Sequence, residues 1–241
     1  MLNGLDLFSG IGGLTIALAP WVQPVAYCEI ERFASAILLS RISEGKLPNA
    51  PIWDNVTTLR GDMLPGIDII YGGFPCQDVS TAGLRKGMDG KRTILYLEAI
   101  RLVRECKPKF VFLENVQGIR EFVPDIRRQL EALGYDCRDG FLSASEVGAR
   151  QHRNRWWLLA YSISTRSSQG FTSREREGQS TSRVVYKDEI GDSFRKENEP
   201  ECLLDRVADG IPYRTYRIKG LGNAVVPLQA REAFKILMGL A

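Results

Sequence analysis

The chain has a single histidine, His152, and its five cysteines, Cys28, Cys76, Cys106, Cys137 and Cys202, never form a C-x-x-C pair. One imidazole and scattered thiols cannot supply a His-rich or zinc-type ligand set, so no metal is expected and a histidine dyad is excluded. An odd, dispersed set of thiols fits a reducing compartment and argues against a disulfide scaffold. No run of 18 apolar residues occurs, and no basic flank with an apolar core opens the chain. Neither a membrane span nor an export signal is therefore expected, and a cytoplasmic location follows. The G-x-x-x-x-G-K-[ST] phosphate loop is also missing, which excludes that class of nucleotide-binding site. Charge of one sign is not in excess either: 32 Lys and Arg against 29 Asp and Glu leave a net +3. That balance is compatible with a nucleic-acid partner but does not demand one.

What is present is an ordinary globular composition, 44% hydrophobic and 25% charged over 241 residues. That size suits one domain with a small appendage. Strand-length apolar segments alternate with amphipathic ones through the first 160 residues, a rhythm that predicts an α/β fold with a parallel sheet flanked by helices. Strands are expected at 2–8, 22–29, 52–56, 67–72, 110–113, 135–142 and 156–161, and helices at 14–19, 32–42, 94–107 and 122–133. In the 94–107 helix the apolar face is read as Ile94, Leu97, Ile100 and Val103. Residues 162–200 break the rhythm with eight Ser, seven basic and seven acidic residues, as a loop-rich insert does. Order is expected to return in 222–240, where Ala224, Val225, Leu228, Ala233, Phe234 and Leu237 supply one helical face. The division read from this pattern is a core over 1–161, an insert over 162–211 and a C-terminal segment over 212–241 that packs back on the core.

Four short segments carry candidate chemistry. Asp6-Leu7-Phe8-Ser9-Gly10-Ile11-Gly12-Gly13 follows a strand and opens a helix, where glycines let the backbone approach a nucleotide-like ligand. Glu29 ends the next strand, where a carboxylate can accept from a ribose diol; a plain tight turn and an exposed acid read the same way. The third glycine of the dinucleotide fingerprint is replaced by Thr15, which favours another adenosine compound over a nicotinamide. Gly72-Gly73-Phe74-Pro75-Cys76-Gln77 ends the strand at 67–72, the sheet edge where α/β enzymes place their sites. There Cys76 is a candidate nucleophile, with a buried structural thiol as the other reading. The stretch 78–92, rich in Gly, Ala, Lys and Arg, suits a basic loop able to close on a phosphate backbone. Glu114-Asn115-Val116 follows an apolar strand at the same edge, where desolvation raises a carboxyl pKa toward proton donation, or where the acid caps a helix. In Gln151-His152-Arg153-Asn154-Arg155 an extended backbone would put Gln151, Arg153 and Arg155 on one face; a solvated edge is the plain alternative.

Taken together and in this order, DLFSGIGG, GGFPCQ, ENV, QHRNR and the GNAVV of 222–226 resemble the DNA cytosine-5 methyltransferases that use S-adenosyl-L-methionine. The resemblance covers nearly the whole chain except 162–200, and the compact length and the 207–212 stretch look most like small phage or prophage members. It implies a Rossmann-like S-adenosylmethionine-dependent methyltransferase fold, a mostly parallel sheet with helices on both faces and a short target-recognition insert. It further implies Cys76, Glu114, Arg153 and Arg155 as the catalytic group. Cys76 attacks carbon 6 of a flipped cytosine, Glu114 protonates N3, Arg155 binds O2, and carbon 5 takes the methyl group. For the cofactor, leaving as S-adenosyl-L-homocysteine, the resemblance implies Phe8, Ser9, Gly10, Ile11, Gly12, Gly13, Glu29, Ile30, Asn55, Val56, Pro75, Leu95, Asn223 and Ala224. Double-stranded DNA is the implied partner, met by Ser80, Arg85, Lys86 and Gln151; the family core acts as a monomer, and a cognate restriction endonuclease can accompany it.

Two departures qualify the resemblance. The family places an Asp for the adenine amino group about 21 residues before the cysteine, and here that position is Asn55, with Asp54 beside it. The recognition region is also short, about 50 residues, with Arg166, Arg174, Arg176 and Arg183 as base or phosphate contacts or simply as solvated loop charges. The related tRNA methyltransferases carry a Cys-Phe-Thr signature where this chain has Gly170-Phe171-Thr172. RNA methyltransferases with a second cysteine need Thr-Cys where this chain has Glu114-Asn115. A catalytically silent DNA-binding remnant of the family is the rival from another class.

Overall fold

The computed structural model describes residues 1–75, 95–166 and 224–240. Their strands are β1 (Leu2–Leu7), β2 (Val22–Cys28), β3 (Ile52–Trp53), β4 (Ile69–Gly73), β5 (Phe110–Val116), β6 (Tyr135–Ser143) and β7 (Asn154–Ser162). They form a seven-stranded sheet in the order β3-β2-β1-β4-β5-β7-β6. The first five strands pair in parallel. β7 enters antiparallel between β5 and β6.

Successive side chains on a strand point to opposite faces, so a strand covered on both sides must be apolar at every position. β5 shows this: Phe110 and Phe112 join one cluster and Val111 and Leu113 the other. β7 does the same with Trp157 and Leu159 against Trp156 and Leu158. On the first face lie α1 (Gly13–Leu18) and the C-terminal helix (Pro227–Met238), which bring Leu14, Ala230 and Phe234 to Tyr71, Phe112 and Trp157. α2 (Arg32–Ser43) adds Leu38 over Tyr27 and Leu47. The second face is covered by α3 (Leu95–Cys106) and α4 (Val123–Ala132) through Ala99, Ile100, Val103, Ile126 and Leu130.

Four details differ from the sequence reading. β3 is two residues long, because Asn55 accepts hydrogen bonds from the Thr57 backbone N–H and hydroxyl and turns the chain where a longer strand was expected. β5 runs on through Glu114 to Val116, since β7 pairs with it as far as Val116 opposite Arg155. In α3 the buried stripe is Tyr96, Ala99, Ile100 and Val103, at helical spacing, and Leu97 is left 39% exposed; Ile94 lies outside the described residues. In the C-terminal helix Leu228 is 50% exposed and its neighbour Gln229 is fully buried instead. Of the expected insert and C-terminal segment, 167–223 lies outside the described residues. No helix among the described residues is long and apolar enough to cross a membrane.

Phe234 anchors the C-terminal helix, its ring 5.2 Å from Phe112 and 5.2 Å from Trp21. Its removal would leave a ring-sized cavity between two aromatic neighbours. Phe234→Ala is expected to cost about 3–5 kcal/mol of unfolding free energy, measured by urea denaturation; a loss under about 1 kcal/mol would mean that the helix does not brace the sheet.

Candidate active site

β2 and β3 lie to one side of β1, while β4, β5, β7 and β6 extend to the other. At that reversal the carboxyl ends of β1 and β4 part and leave a crevice, the usual ligand position in an open α/β sheet. Phe8, Ser9, Ile11, Gly13 and Leu14 line it from the β1 turn, Gly73 from β4, Glu114 from β5, and Ala224 and Val225 from the segment before the C-terminal helix.

The turn is held in an unusual backbone. Phe8 sits at φ 55°, a left-handed conformation that is costly for an aromatic residue, and Gly10 and Gly12 follow at 56° and 86°. The Ser9 hydroxyl is engaged within the turn: it donates to the Asp6 carbonyl at 2.8 Å and accepts from the Cys28 N–H at 3.2 Å, tying β1 to β2. The Glu29 carboxylate is aimed by two backbone donors, Gly10 N–H at 2.7 Å on Oε2 and Glu31 N–H at 2.7 Å on Oε1. Each oxygen keeps a further lone pair, enough for the two hydroxyls of a ribose. Ile30 beside it is 69% exposed, an apolar surface at the rim, and Val56 is buried.

Asn55 is placed differently from an adenine acceptor. Its Oδ1 already takes two hydrogen bonds from Thr57, at 3.0 Å and 2.8 Å, so the group it has left to offer is the amide NH2. Asp54 is exposed. The loop carrying both is clamped from α3: Arg101 donates to the Val56 and Leu59 carbonyls at 2.9 Å each, while Glu98 and Glu105 hold its guanidinium.

Across the crevice, Glu114 pairs in register with Gly73 on one side and Trp157 on the other. A Cβ on residue 73 would come within 2.7 Å of the Glu114 Oε2, so a side chain there would displace the carboxylate from its present position. Arg155 Nε donates to Glu114 Oε1 at 2.9 Å. Burial pushes the Glu114 carboxyl up to about 7, with Arg155 and Arg153 pulling the other way. A carboxyl in that range can hold or release a proton near neutral pH. Asn115 donates from Nδ2 to the Phe74 carbonyl at 2.9 Å and so fixes the backbone leading into Pro75. Leu95 begins α3 and packs against the core cluster that contains Phe74.

The two arginines of QHRNR part company. Arg155 goes to Glu114, whereas Arg153 Nη2 donates to the Ala224 carbonyl at 2.7 Å. Gln151 is exposed and precedes β7, which starts at Asn154, so the extended face expected for all three residues is not formed. Cys76, Ser80, Arg85, Lys86 and Asn223 lie outside the described residues.

Beneath the turn is a polar layer that the sequence reading passed over. Asp6 is fully buried and accepts from Thr15 at 2.7 Å; the Thr15 hydroxyl also meets the Tyr71 hydroxyl at 2.9 Å. The other Asp6 oxygen has no hydrogen-bond partner among the described residues. Burial raises Asp6 to about 7, against the lowering hydrogen bond of Thr15. An acid inside an otherwise apolar strand was the signal available. Among the described residues no cluster of three or more His, Cys, Asp or Glu is placed to hold a metal.

The family model described as C-5 cytosine-specific DNA methylase matches residues 2–205. The type II methyltransferase M.CviJI of Paramecium bursaria Chlorella virus IL3A is 30% identical over 234 residues, 95% of this chain and 58% of its own length. The type II methyltransferase M.HhaI of Haemophilus parahaemolyticus is 30% identical over 166 residues, 66% of this chain and 49% of its own. The chain thus spans roughly half the length of these relatives. A crystal structure assigned as a DNA modification methyltransferase encoded within an Escherichia coli prophage superposes with a TM-score of 0.58 at 27% identity, over 69% of this chain and 48% of that one. Spodoptera frugiperda DNMT2 superposes at 0.59 with 20% identity over 78% of this chain and 56% of its own, a likeness of fold.

Asp6 and Glu114 rise from ordinary values of 3.8 and 4.5 to about 7, so between these limits the folded protein binds more protons than the unfolded chain. Stability must then fall as pH rises from about 4 to about 7. Asp68 and Asp125, held low by Lys109 and Tyr96, act below that window with the opposite sign. Urea denaturation of the free protein across pH 4.5–8 is expected to show this decline. Asp6→Asn should flatten it by up to about one proton; an unchanged slope would mean that Asp6 is ionised throughout.

Proposed function

The chain belongs to the C-5 cytosine-specific DNA methylase family, and from that premise we propose that it is a DNA cytosine-5 methyltransferase acting on a cytosine turned out of the duplex. The observation that carries most weight is the Glu114–Arg155 pair, 2.9 Å apart, whose buried carboxylate lines the crevice where Gly73 leaves room for it. A carboxyl raised to about 7 beside a fixed guanidinium suits a pyrimidine edge that must gain a proton on N3 while its O2 is held.

In this reading Cys76, as thiolate, adds to carbon 6 of the ring, and Glu114 gives its proton to N3, so that electron density collects on carbon 5. Arg155 bonds O2 and keeps Glu114 aimed. After carbon 5 is methylated, its proton leaves to a base, the electron pair expels Cys76, and N3 returns its proton to Glu114, restoring the neutral aromatic ring, the thiolate and the carboxyl group. Carbon 6 is shielded by stacking in a duplex, so the base must be turned out, at a cost of a few kcal/mol that protein contacts offset. Ser80, Arg85 and Lys86 of the 78–92 loop and Gln151 are the proposed DNA contacts, and the 162–211 segment the proposed sequence reader.

The turn and its neighbours fit S-adenosyl-L-methionine: a polar-edged crevice, a carboxylate with lone pairs for a diol and an exposed apolar rim at Ile30. Bound there, it supplies an electrophilic sulfonium methyl group. Glu29 would take the ribose hydroxyls, Phe8, Gly10, Ile11, Gly12 and Gly13 would face the methionine part, and Val56, Pro75, Leu95, Asn223 and Ala224 would complete the pocket. Asn55 would meet the adenine as a donor through its NH2. Action as a monomer in the cytoplasm, with or without a cognate endonuclease, belongs to the same reading.

Expression in a host free of cytosine methylation, followed by nucleoside mass spectrometry, tests it. 5-Methyldeoxycytidine is expected with the intact protein and not with Cys76→Ala. Its absence from a folded, DNA-binding protein would favour a silent remnant. For Glu114, the protonated form is the donor and is lost as pH rises through about 7. The ratio of wild-type to Glu114→Gln kcat/KM should therefore be about 10²–10⁴ below pH 7 and decline above it; a pH-independent ratio would remove Glu114 as the proton donor.

A further inference from the structure

The C-terminal helix buries a glutamine where its neighbour Leu228 would have been the apolar choice. Gln229 is fully buried in the first turn, and its Nε2 donates to the Leu142 carbonyl at 2.7 Å and to the Arg153 carbonyl at 2.8 Å. These carbonyls lie where the β6–β7 ladder ends, with Ser143 opposite Asn154. The Gln229 Oε1 has no hydrogen-bond partner among the described residues, so the side chain is held entirely by what it donates. An unsatisfied buried amide oxygen is unfavourable, and leucine at this position would avoid it. The helix is thus rotated toward a polar contact at a cost in burial.

What that contact reaches is Arg153. Its main chain accepts from Gln229 and its side chain returns to the Ala224 carbonyl at 2.7 Å, five residues earlier on the same segment. The hydrogen bonds form a closed circuit, Gln229 to Arg153 to Ala224 and back along the chain. Inside that circuit sit Ala224 and Val225, one wall of the crevice. The wall is pressed against the glycine turn: a Cβ on residue 13 would lie 3.1 Å from the Val225 carbonyl oxygen. On its other side Arg153 is near enough to Glu114 to pull its carboxyl pKa down.

We propose that Gln229 is a positioning residue: through Arg153 it sets the distance between the Ala224–Val225 wall and the glycine turn, and thereby the affinity of the crevice for S-adenosyl-L-methionine. This rests on the function proposed above. A merely structural glutamine would affect binding only as far as it affects folding. A positioning glutamine affects binding through Arg153, so the two residues are coupled.

The test uses S-adenosyl-L-homocysteine as the probe, titrated by calorimetry into the wild type, Gln229→Met, Arg153→Lys, the double variant and Phe234→Ala, all well below their melting temperatures. Gln229→Met keeps length and apolar volume but removes both donors. Arg153→Lys shortens the reach to Ala224. Phe234→Ala loosens the same helix without touching the circuit. Expected are a Kd raised about tenfold in Gln229→Met and in Arg153→Lys, and a double variant no weaker than the weaker single one. Phe234→Ala, despite its lower melting temperature, should stay within about twofold of the wild type. In methylation assays Gln229→Met should raise the KM for the methyl donor far more than it lowers kcat. Wild-type affinity in Gln229→Met, additive losses in the double variant, or an equal loss in Phe234→Ala would each overturn the proposal. If Gln229→Met does not fold, Arg153→Lys against Phe234→Ala decides it by the same comparison. A wild type that binds no S-adenosyl-L-homocysteine would overturn the cofactor reading itself, and this proposal with it.

Discussion

β7 runs antiparallel against β5 over seven residue pairs, from Phe110 opposite Tyr161 to Val116 opposite Arg155. Most of the site depends on that pairing. It carries β5 past the apolar residues that would have ended it, so Glu114 is held in a ladder between Gly73 and Trp157 and not in a loop. It also sets Arg155 two residues from Trp157 on the same face, within 2.9 Å of the carboxylate. A buried acid beside a partly buried guanidinium is expensive to desolvate and is tolerated when geometry is fixed on all sides. Here the fixing is done by three strands, and the cost appears as a carboxyl raised to about 7 in spite of its cationic partner.

A second layer supports the other half of the crevice. Asp6, Thr15 and Tyr71 form a chain of hydrogen bonds between β1, α1 and β4 on the face covered by the C-terminal helix. Above it the chain turns through the left-handed Phe8, and Ser9 pins the ends of β1 and β2 together. Strain in a turn persists only where its surroundings over-determine it, and this network provides the restraint. The crevice thus lies between two rigid polar constructions, one under the glycine turn and one at the end of β5. Arg153, bonded to the Ala224 carbonyl and close to Glu114, connects them.

Much of this was legible in the chain. Apolar runs of strand length mark β1, β2 and β6 to within a residue and β4 and β7 to within two, whereas β5 continues three residues past its apolar stretch. β3 was over-read, since an asparagine that captures its own backbone two residues on looks no different from one that ends a longer strand. The stripe of α3 was misplaced because an apolar residue one step off the true face, Leu97, fits a three-residue spacing as well as Tyr96 does. The glycine turn and the Glu114 edge are legible as motifs, whereas the spacing of Arg153 and Arg155 does not tell that one meets Glu114 and the other the Ala224 carbonyl.

The sequence by itself determined the α/β alternation, the glycine turn after β1, the acid after β2 and the presence of a carboxylate and two arginines near one sheet edge. These are local, set by residue type and spacing. Tertiary structure alone decided which arginine meets Glu114, that the Glu114 carboxylate lies over Gly73, and that Gln229 and not Leu228 faces the core. Each depends on distances between segments far apart in the chain, up to 87 residues between Leu142 and Gln229. Spacing within a segment carries no information about what a distant strand or helix will press against it.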